Sequence, residues 1–442
     1  MAESGFHGHS WRVLAALRGG HGHPDLEARI AELEKAHNHD DRYSQLDHGH
    51  EVAPPTPSPI EVPNGAILLN PDNLLSMVDA APADAAFVIT PGLYRQAKVH
   101  PKYGHQFYAQ AGAVFDGEGV TSHAFIGAPN LPAAPSNVWI RGLDSAVKFE
   151  NRNYNSPSQL GWNEGAITSK WYEGQLGGDS WLVENVDTHH NRGAGVMLTD
   201  KSVIRGCNIH HNYAIGYKVY WAPNGALVED TETAYNNFAA AADFNETGGS
   251  KCAWTTGLVT RRVFCHHNKG DGLWTDIDNY GTIYEDCISE DNDGAGIFHE
   301  ISYSALIRRN QSRRNGFKSQ GWMFGAGIMV AASEDVTIGG DDPADGNIVE
   351  DNLNGISLIQ QHRPDKSGVP YLLKNVHTRN NRVRGGRTGA VTDIGAPIFT
   401  ERNLTWDAND YSNINGFAWE GSLDRSWAEW QGYGHDLAGS YS

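Results

Sequence analysis

The 442-residue sequence predicts an all-β fold, a parallel β-helix in which one strand-and-turn unit repeats along an axis. Three observations carry this. An Asn followed four residues later by a small residue and then an apolar strand recurs at Asn191/Gly195, Asn212/Gly216, Asn237/Ala241, Asn268/Gly272 and Asn292/Gly296, with a degenerate copy at Asn315. These Asn are 21, 25, 31, 24 and 23 residues apart, the size of one solenoid coil rather than of a propeller blade. Asn also has the right chemistry for a coil corner, because it tolerates left-handed backbone and its amide can stack as a ladder with the coil above. A β-sandwich with Asn-rich turns is the competing fold, and the coil-sized spacing disfavours it.

The elements follow in order. Residues 1–52 form a histidine-rich arm with pairs at His7/His9, His21/His23, His37/His39 and His48/His50. Leu26, Ile30 and Leu33 follow the a/d spacing of a short coiled coil, and the next seam position is His37. Arg29 and Glu34 fall at g and the following e, where an interchain ion pair sets register. Three chains would bring six imidazoles of His37 and His39 to an axis, a set suited to an octahedral transition-metal ion. The seam residues themselves favour two strands, so the trimer rests on the histidines. The His48/His50 and His21/His23 pairs are further metal candidates, whereas His7/His9 reads as solvated arm. Residues 53–60, APPTPSP and its neighbour, form a stiff linker.

The β-helix is assigned to residues 61–402. It opens with a helix capped by Asn70, with Pro71 in its first turn and Leu74, Leu75 and Val78 on one face. A strand and turn, FVITPGLY, follow within Ala86 to Tyr94, and short strands separated by Gly and Asn continue from there. Residues 403–442 crowd Trp406, Tyr411, Phe417, Trp419, Trp427, Trp430 and Tyr433 into a stretch where the repeat is no longer visible, as expected of a cap over the last coil.

Charge and cysteines exclude several classes. A net charge of −19 leaves no clustered basic face for nucleic acid, and it would be repelled by anionic lipid. No apolar run reaches the ~20 residues of a membrane span, and Val13 to Leu17 is too short for a signal-peptide core. Assembly in a host cytoplasm is the expectation. Cys207, Cys252, Cys265 and Cys287 lack metal-type spacing and read as buried thiols, with one disulfide left open.

The candidate site comes from the repeat itself. Counting eight from each corner Asn gives the column Thr199, Tyr220, Asn245, Asp276 and Glu300, which turns acidic on two successive coils. Asp276 lies in GLWTDIDN, where alternation puts Trp274, Asp276 and Asp278 on one face; Phe298 and Glu300 share a face in GIFHEIS. Two stacked carboxylates beside a large aromatic suit glycoside hydrolysis, one acid being kept protonated by its neighbour. Asp276, Glu300 and Asp278 are thus the catalytic candidates. Trp274, Asn279, Asp243, Glu246, Lys251 and His299 are the substrate-binding ones, and the column is expected to line an exposed groove. The competing reading makes these carboxylates partners for turn amides or for Lys251 and Arg308.

Two resemblances add to this. His37-Asn38-His39-Asp40-Asp41-Arg42-Tyr43 resembles the HNHDDRY motif of bacteriophage tail fibres and tail spikes, which implies a homotrimeric virion protein held to the tail through its N-terminal part, with iron on the trimer axis. The segments GGSKCAWTTGLV, NKGDGLWTDIDN and GAGIFHEISYSALIRRN resemble a block of secreted bacterial proteins with a right-handed parallel β-helix of the pectate-lyase-like superfamily. The run Trp427 to Asp436 is similar to that family's closing motif, and Ile89 to Arg95 to its opening coil. Carried over residue by residue, the resemblance points to Trp274, Asp276, Asp278, Asn279, Glu300 and Gly248 to Lys251. The resulting expectation is a phage tail spike or fibre, a homotrimer joined to other tail proteins, that binds and depolymerises a host surface polysaccharide. A purely structural tail component and a secreted polysaccharide lyase or hydrolase are the alternatives. A lyase would need a base, for which Lys251 and His299 are the candidates.

Overall fold

The computed structural model describes residues 60–121, 123–127, 133–143, 149–152, 165–170, 177–238, 247–319, 321–365 and 367–442. The predicted arm, with His21, His23, His37, His39, His48 and His50, lies outside the described residues, as do Asp243 and Glu246.

Among the described residues the chain is a right-handed parallel β-helix. Its strands fall into three sheets of 13, 13 and 12 members. The first sheet runs from Ile67–Leu69 to Leu404–Asp407, the second from Gly92–Arg95 to Ser440–Tyr441, and the third from Phe125–Ile126 to Ser422–Arg425. Pairing is parallel until the last strand of the third sheet, which turns back antiparallel on Gly416–Trp419.

Registered stacking fills the interior. In the first sheet Val183, Ile204 and Val228 lie on successive coils, as Tyr284, Ile307 and Ile338 do further along. All are buried, so each rung covers apolar surface left open by its neighbour. The four cysteines belong to this interior as free thiols, and burial pushes Cys252 and Cys287 up to about 12.

The corner ladder is real, with a one-residue correction. Asn191, Asn212, Asn236, Asn268, Asn292, Asn315 and Asn352 form one continuous stack, so Asn236 and not Asn237 holds the place in the third coil. The reason is local. The left-handed residue of each corner precedes the ladder Asn, with φ between 51° and 55° at His190, His211, Tyr235, His267, Asp291 and Arg314. The Asn itself turns inward, where its Oδ1 accepts from the backbone and the side-chain amide of the coil before, as Asn292 does from Asn268 at 3.1 and 2.9 Å. These bonds offset the roughly 1 kcal/mol or more that a non-glycine residue costs in this backbone region. Replacing Asn292 by Ala strands the buried backbone N–H of Asn268 and removes one of the acceptors of its side-chain amide, which keeps the Thr233 carbonyl. We expect a loss of about 3 kcal/mol, read as a lower urea midpoint at unchanged slope.

Both ends are covered. The N-terminal helix is Leu74–Ala80, shorter than expected; Leu74 and Val78 are buried while Leu75 is exposed. Asn70 caps the preceding turn instead, accepting from the amides of Asp72 and Asn73. At the other end the coils continue through Trp419, so residues 403–419 form another coil and the cap begins later than 403. Helix Trp427–Gly432, started by a Ser426/Glu429 capping box, seats the fully buried Trp430 on the core. Trp430 stacks on Phe417 at 4.7 Å and meets Trp406 edge-on at 5.3 Å. Asp436 ends a second amide ladder, Asn310–Asn347–Asn381–Asn409–Asp436, and takes hydrogen bonds from Tyr411 and Trp430. Tyr433, by contrast, is exposed.

Candidate functional site

The third sheet places the acidic pair. Its inward column, Leu198, Val219, Cys252, Thr275, His299, Val330 and Leu358, is buried. The outward column beside it runs Tyr220, Ala253, then Asp276, Glu300, Ala331 and Ile359. Asp276 and Glu300 are register partners on adjacent rungs, and so are Trp274 and Phe298, whose rings stack at 5.6 Å. Ala253 occupies the place predicted for Asn245. Counting eight from the corner fails there because residues 239–246 lengthen that coil before its strand begins at Gly248.

Around the pair the charges interlock. Lys251 Nζ lies 2.9 Å from Asp276 Oδ2 and 4.0 Å from the centre of the Trp274 ring. Arg363, from residues 361–372, bonds Glu300 Oε1 at 2.6 Å. Burial first, and then the Asp276 carboxylate, push Glu300 up to about 7 against the pull of Arg363. Asp271, two residues before the strand Leu273–Asp276, joins the group: burial raises it to about 7, and its Oδ1 accepts from the Ala295 amide at 2.7 Å. Two polar atoms of the group, Asp276 Oδ1 and Trp274 Nε1, are buried with no hydrogen-bond partner among the described residues.

Several predicted site residues fall elsewhere. His299 is fully buried in the inward column, bonded to Thr275 Oγ1 at 2.8 Å and to the Tyr303 carbonyl at 3.1 Å, and burial pushes it down to about 4. Asn279 is also inside, in an inner polar stack with Thr255 and Ser302. Both side chains are buried. The alternation assumed for Asp278 stops at Asp276, because Ile277 and Asp278 turn the corner with φ of 63° and 53°. Asp278 instead accepts from the Tyr371 hydroxyl at 2.9 Å, anchoring residues 361–372 over this corner. Nor is the column an exposed groove. Asp276 and Glu300 are 5% and 7% exposed, and Met323 packs with Trp274 and Phe298 in one cluster.

Asp271, Arg363 and Tyr371 escaped sequence reasoning. Arg363 and Tyr371 lie 63 and 93 residues from their partners, on a stretch without the repeat. Asp271 carried a faint signal as the acid of the Gly270-Asp271-Gly272 run. A rim of aromatics borders the site. Trp221 and Trp254 stack at 5.3 Å on successive corners, Lys170 lies 3.8 Å over Trp221, and Trp322 and Phe317 are exposed on the segment that carries Met323.

Comparison with known proteins agrees with this architecture. The family described as right handed beta helix region matches residues 175–342, the stretch that contains the acidic pair and the ladder from Asn191 to Asn315. Among solved structures the chain is similar to the A-module of mannuronan C-5 epimerase AlgE6 from Azotobacter vinelandii, at 16% identity over 83% of this chain and 92% of that one, TM-score 0.46. It is also similar to a family 28 exopolygalacturonase from Yersinia enterocolitica, at 11% identity over 80% and 73%, TM-score 0.44. A third is the catalytic domain of a GH87 alpha-1,3-glucanase, at 11% identity over 88% and 70%, TM-score 0.45. No curated protein matches the chain.

Proposed function

We propose that the outward face of the third sheet binds and hydrolyses a host surface glycan, and that the chain acts as a homotrimeric bacteriophage tail spike or tail fibre. The carrying observation is the rung pair itself: Glu300 is raised to about 7 beside Asp276, whose Oδ1 has no hydrogen-bond partner among the described residues. Lys251 pairs with Oδ2 of Asp276 at 2.9 Å and leaves Oδ1 for the anomeric carbon. Adjacent rungs are ~4.8 Å apart, close to the carboxyl spacing of retaining glycosidases. Glu300 then gives its proton to the leaving glycosidic oxygen as Asp276 Oδ1 attacks, and takes a proton from the water that later releases the sugar. Trp274 and Phe298 stack beside the pair, packed with Met323. His299, being internal, offers no base for a lyase. Incubation of the protein with host cell-wall glycans, with analysis of released oligosaccharides, tests the reading.

A second reading has its own observation. Asp276 and Glu300 are buried and bridged by Lys251 and Arg363, as a closed ion cluster inside a structural tail component would be. Such a cluster releases and binds nothing.

The virion role rests on the HNHDDRY arm. Three copies of His37 and His39 at the axis hold a transition metal, iron by resemblance, and multivalent display raises avidity for the glycan. Metal analysis of the pure trimer is expected to find about one ion per trimer for each occupied histidine pair. A metal-free trimer removes this part of the reading. Replacing His37 and His39 by Ala should loosen the arm and leave the β-helix folded.

A further inference from the structure

The second sheet carries histidines that the glycan site does not use. Asp187 and His189 sit two apart on the strand Val186–His189, so both point outward while Thr188 between them is buried. His210 is the register partner of His189 on the next coil, and the two rings stack at 4.9 Å. One ligand atom from each of Asp187, His189 and His210 lies within 4.8 Å of the other two, and His210 Nε2 is already 3.1 Å from Asp187 Oδ1. All three side chains are half-buried and within reach of an ion from solvent.

We propose that Asp187, His189 and His210 bind a divalent transition-metal ion of the zinc type, which bridges two successive coils of the β-helix. Zinc takes imidazole nitrogen and carboxylate oxygen at about 2.0–2.2 Å, which places neighbouring ligand atoms roughly 3.3 Å apart. One of the three separations is near that already, and small rotations of the stacked rings supply the rest. Three protein ligands leave a coordination position for water.

An outer ring of partners supports the ligands. His189 Nδ1 meets His190 Nδ1 at 2.8 Å, and His210 Nδ1 meets His211 Nδ1 at 2.8 Å. The corner geometry produces this pairing: the left-handed His190 and His211 swing their rings beside those of the residues before them. A neutral Nδ1 can accept the Nδ1 proton of the ligand ring, which leaves the Nε2 lone pair for a metal. Asn208 orients the other carboxylate oxygen, donating to Asp187 Oδ2 at 3.4 Å.

The chain contains its own comparison. Further along the same face, Glu232 Oε1 and His266 Nε2 repeat the acid–imidazole contact at 3.1 Å, and His266 Nδ1 meets His267 Nδ1 at 2.9 Å. There the position equivalent to His189 is Ala234, so the second imidazole is missing. An acid–histidine pair alone is an ordinary surface contact; the third ligand distinguishes the Asp187 site.

The test uses full-length protein stripped by a chelator and titrated with zinc. The wild type is expected to bind one more equivalent per chain than His210→Ala or Asp187→Asn, because any metal on the arm is common to all three. Zinc should raise the melting temperature of the β-helix in the wild type and not in those variants, since an ion bound only by the folded state stabilises it. Glu232→Gln should behave as wild type. Equal zinc stoichiometry and equal zinc response in wild type and Asp187→Asn would overturn the proposal, as would loss of the equivalent in Glu232→Gln. If His210→Ala fails to fold by circular dichroism, His189→Gln removes the second imidazole and is read by the same two measurements.

Discussion

Glu300→Gln is expected to abolish oligosaccharide release while glycan binding persists, with a fall of about 10²–10⁴-fold or more in rate. The amide keeps the shape of the side chain and its acceptor oxygen but carries no proton to deliver. Its structural cost is small, because the Arg363 guanidinium it leaves is 39% exposed and water replaces the lost partner. Asp276→Asn also removes activity, and here stability suffers. Lys251 and Asp276 are 3% and 8% exposed at the side chain, so the amide breaks a buried ion pair, a change that costs about 3–5 kcal/mol in comparable pairs. In the exposed groove expected from the sequence Asp276→Asn would be mild; its burial beside Lys251 makes it costly. The pH dependence has a definite sign. Burial and Asp276 raise Glu300 to about 7, so a reaction that needs its proton runs below that pH and fades as pH rises through it. In Asp276→Asn the neighbouring negative charge is gone and the upward push on Glu300 weakens. Rates measured across pH on wild-type protein check this.

Removing the cap has the largest expected effect on the fold. Trp430 is fully buried, touches Trp406, Phe417 and Trp419, and donates to Asp436 Oδ2 at 2.9 Å. Trp430→Ala opens a cavity at the end of the solenoid and leaves Asp436 short of one donor, a loss of about 3–5 kcal/mol. Deleting residues 420–442 goes further. It bares the aromatic end of the core and the last open strand edges, and we expect aggregated protein. A soluble truncated protein with unchanged melting would contradict the capping role.

The fold was legible because a solenoid writes its geometry into its spacing. Each corner needs a left-handed residue and an inward amide, so an Asn returns once per coil wherever the coil length is nearly constant. The slip from Asn236 to Asn237 came from two adjacent Asn, between which spacing alone cannot choose. Long coils broke the count for the same reason, since the insertion before Gly248 moved Ala253 into the place predicted for Asn245. The aromatic C-terminal stretch hid one further coil, because Trp406, Tyr411 and Phe417 occupy inward positions that Thr378, Val383 and Thr388 hold on the coil before.

The site was legible only in part. The juxtaposition of Trp274, Asp276 and Glu300 was legible because the strand period and the coil period together fix their neighbours. His299 and Asn279 were misplaced, being polar side chains that the interior satisfies with Thr275, Thr255 and Ser302. Arg363 and Tyr371 depend on a non-repeating segment folding back over the sheet, and no local pattern announces that.

The measurement that bears most directly on the central claim is glycan digestion by wild-type and Glu300→Gln protein side by side. Purified full-length chains are incubated with host surface polysaccharide, and both the released oligosaccharides and the anomeric configuration of the first product are recorded. Release by the wild type with retained configuration, and binding without release by Glu300→Gln, is the predicted result. Undiminished release by Glu300→Gln, or a wild type that neither binds nor cleaves any host glycan, would contradict the assignment of Asp276 and Glu300 as a hydrolytic pair.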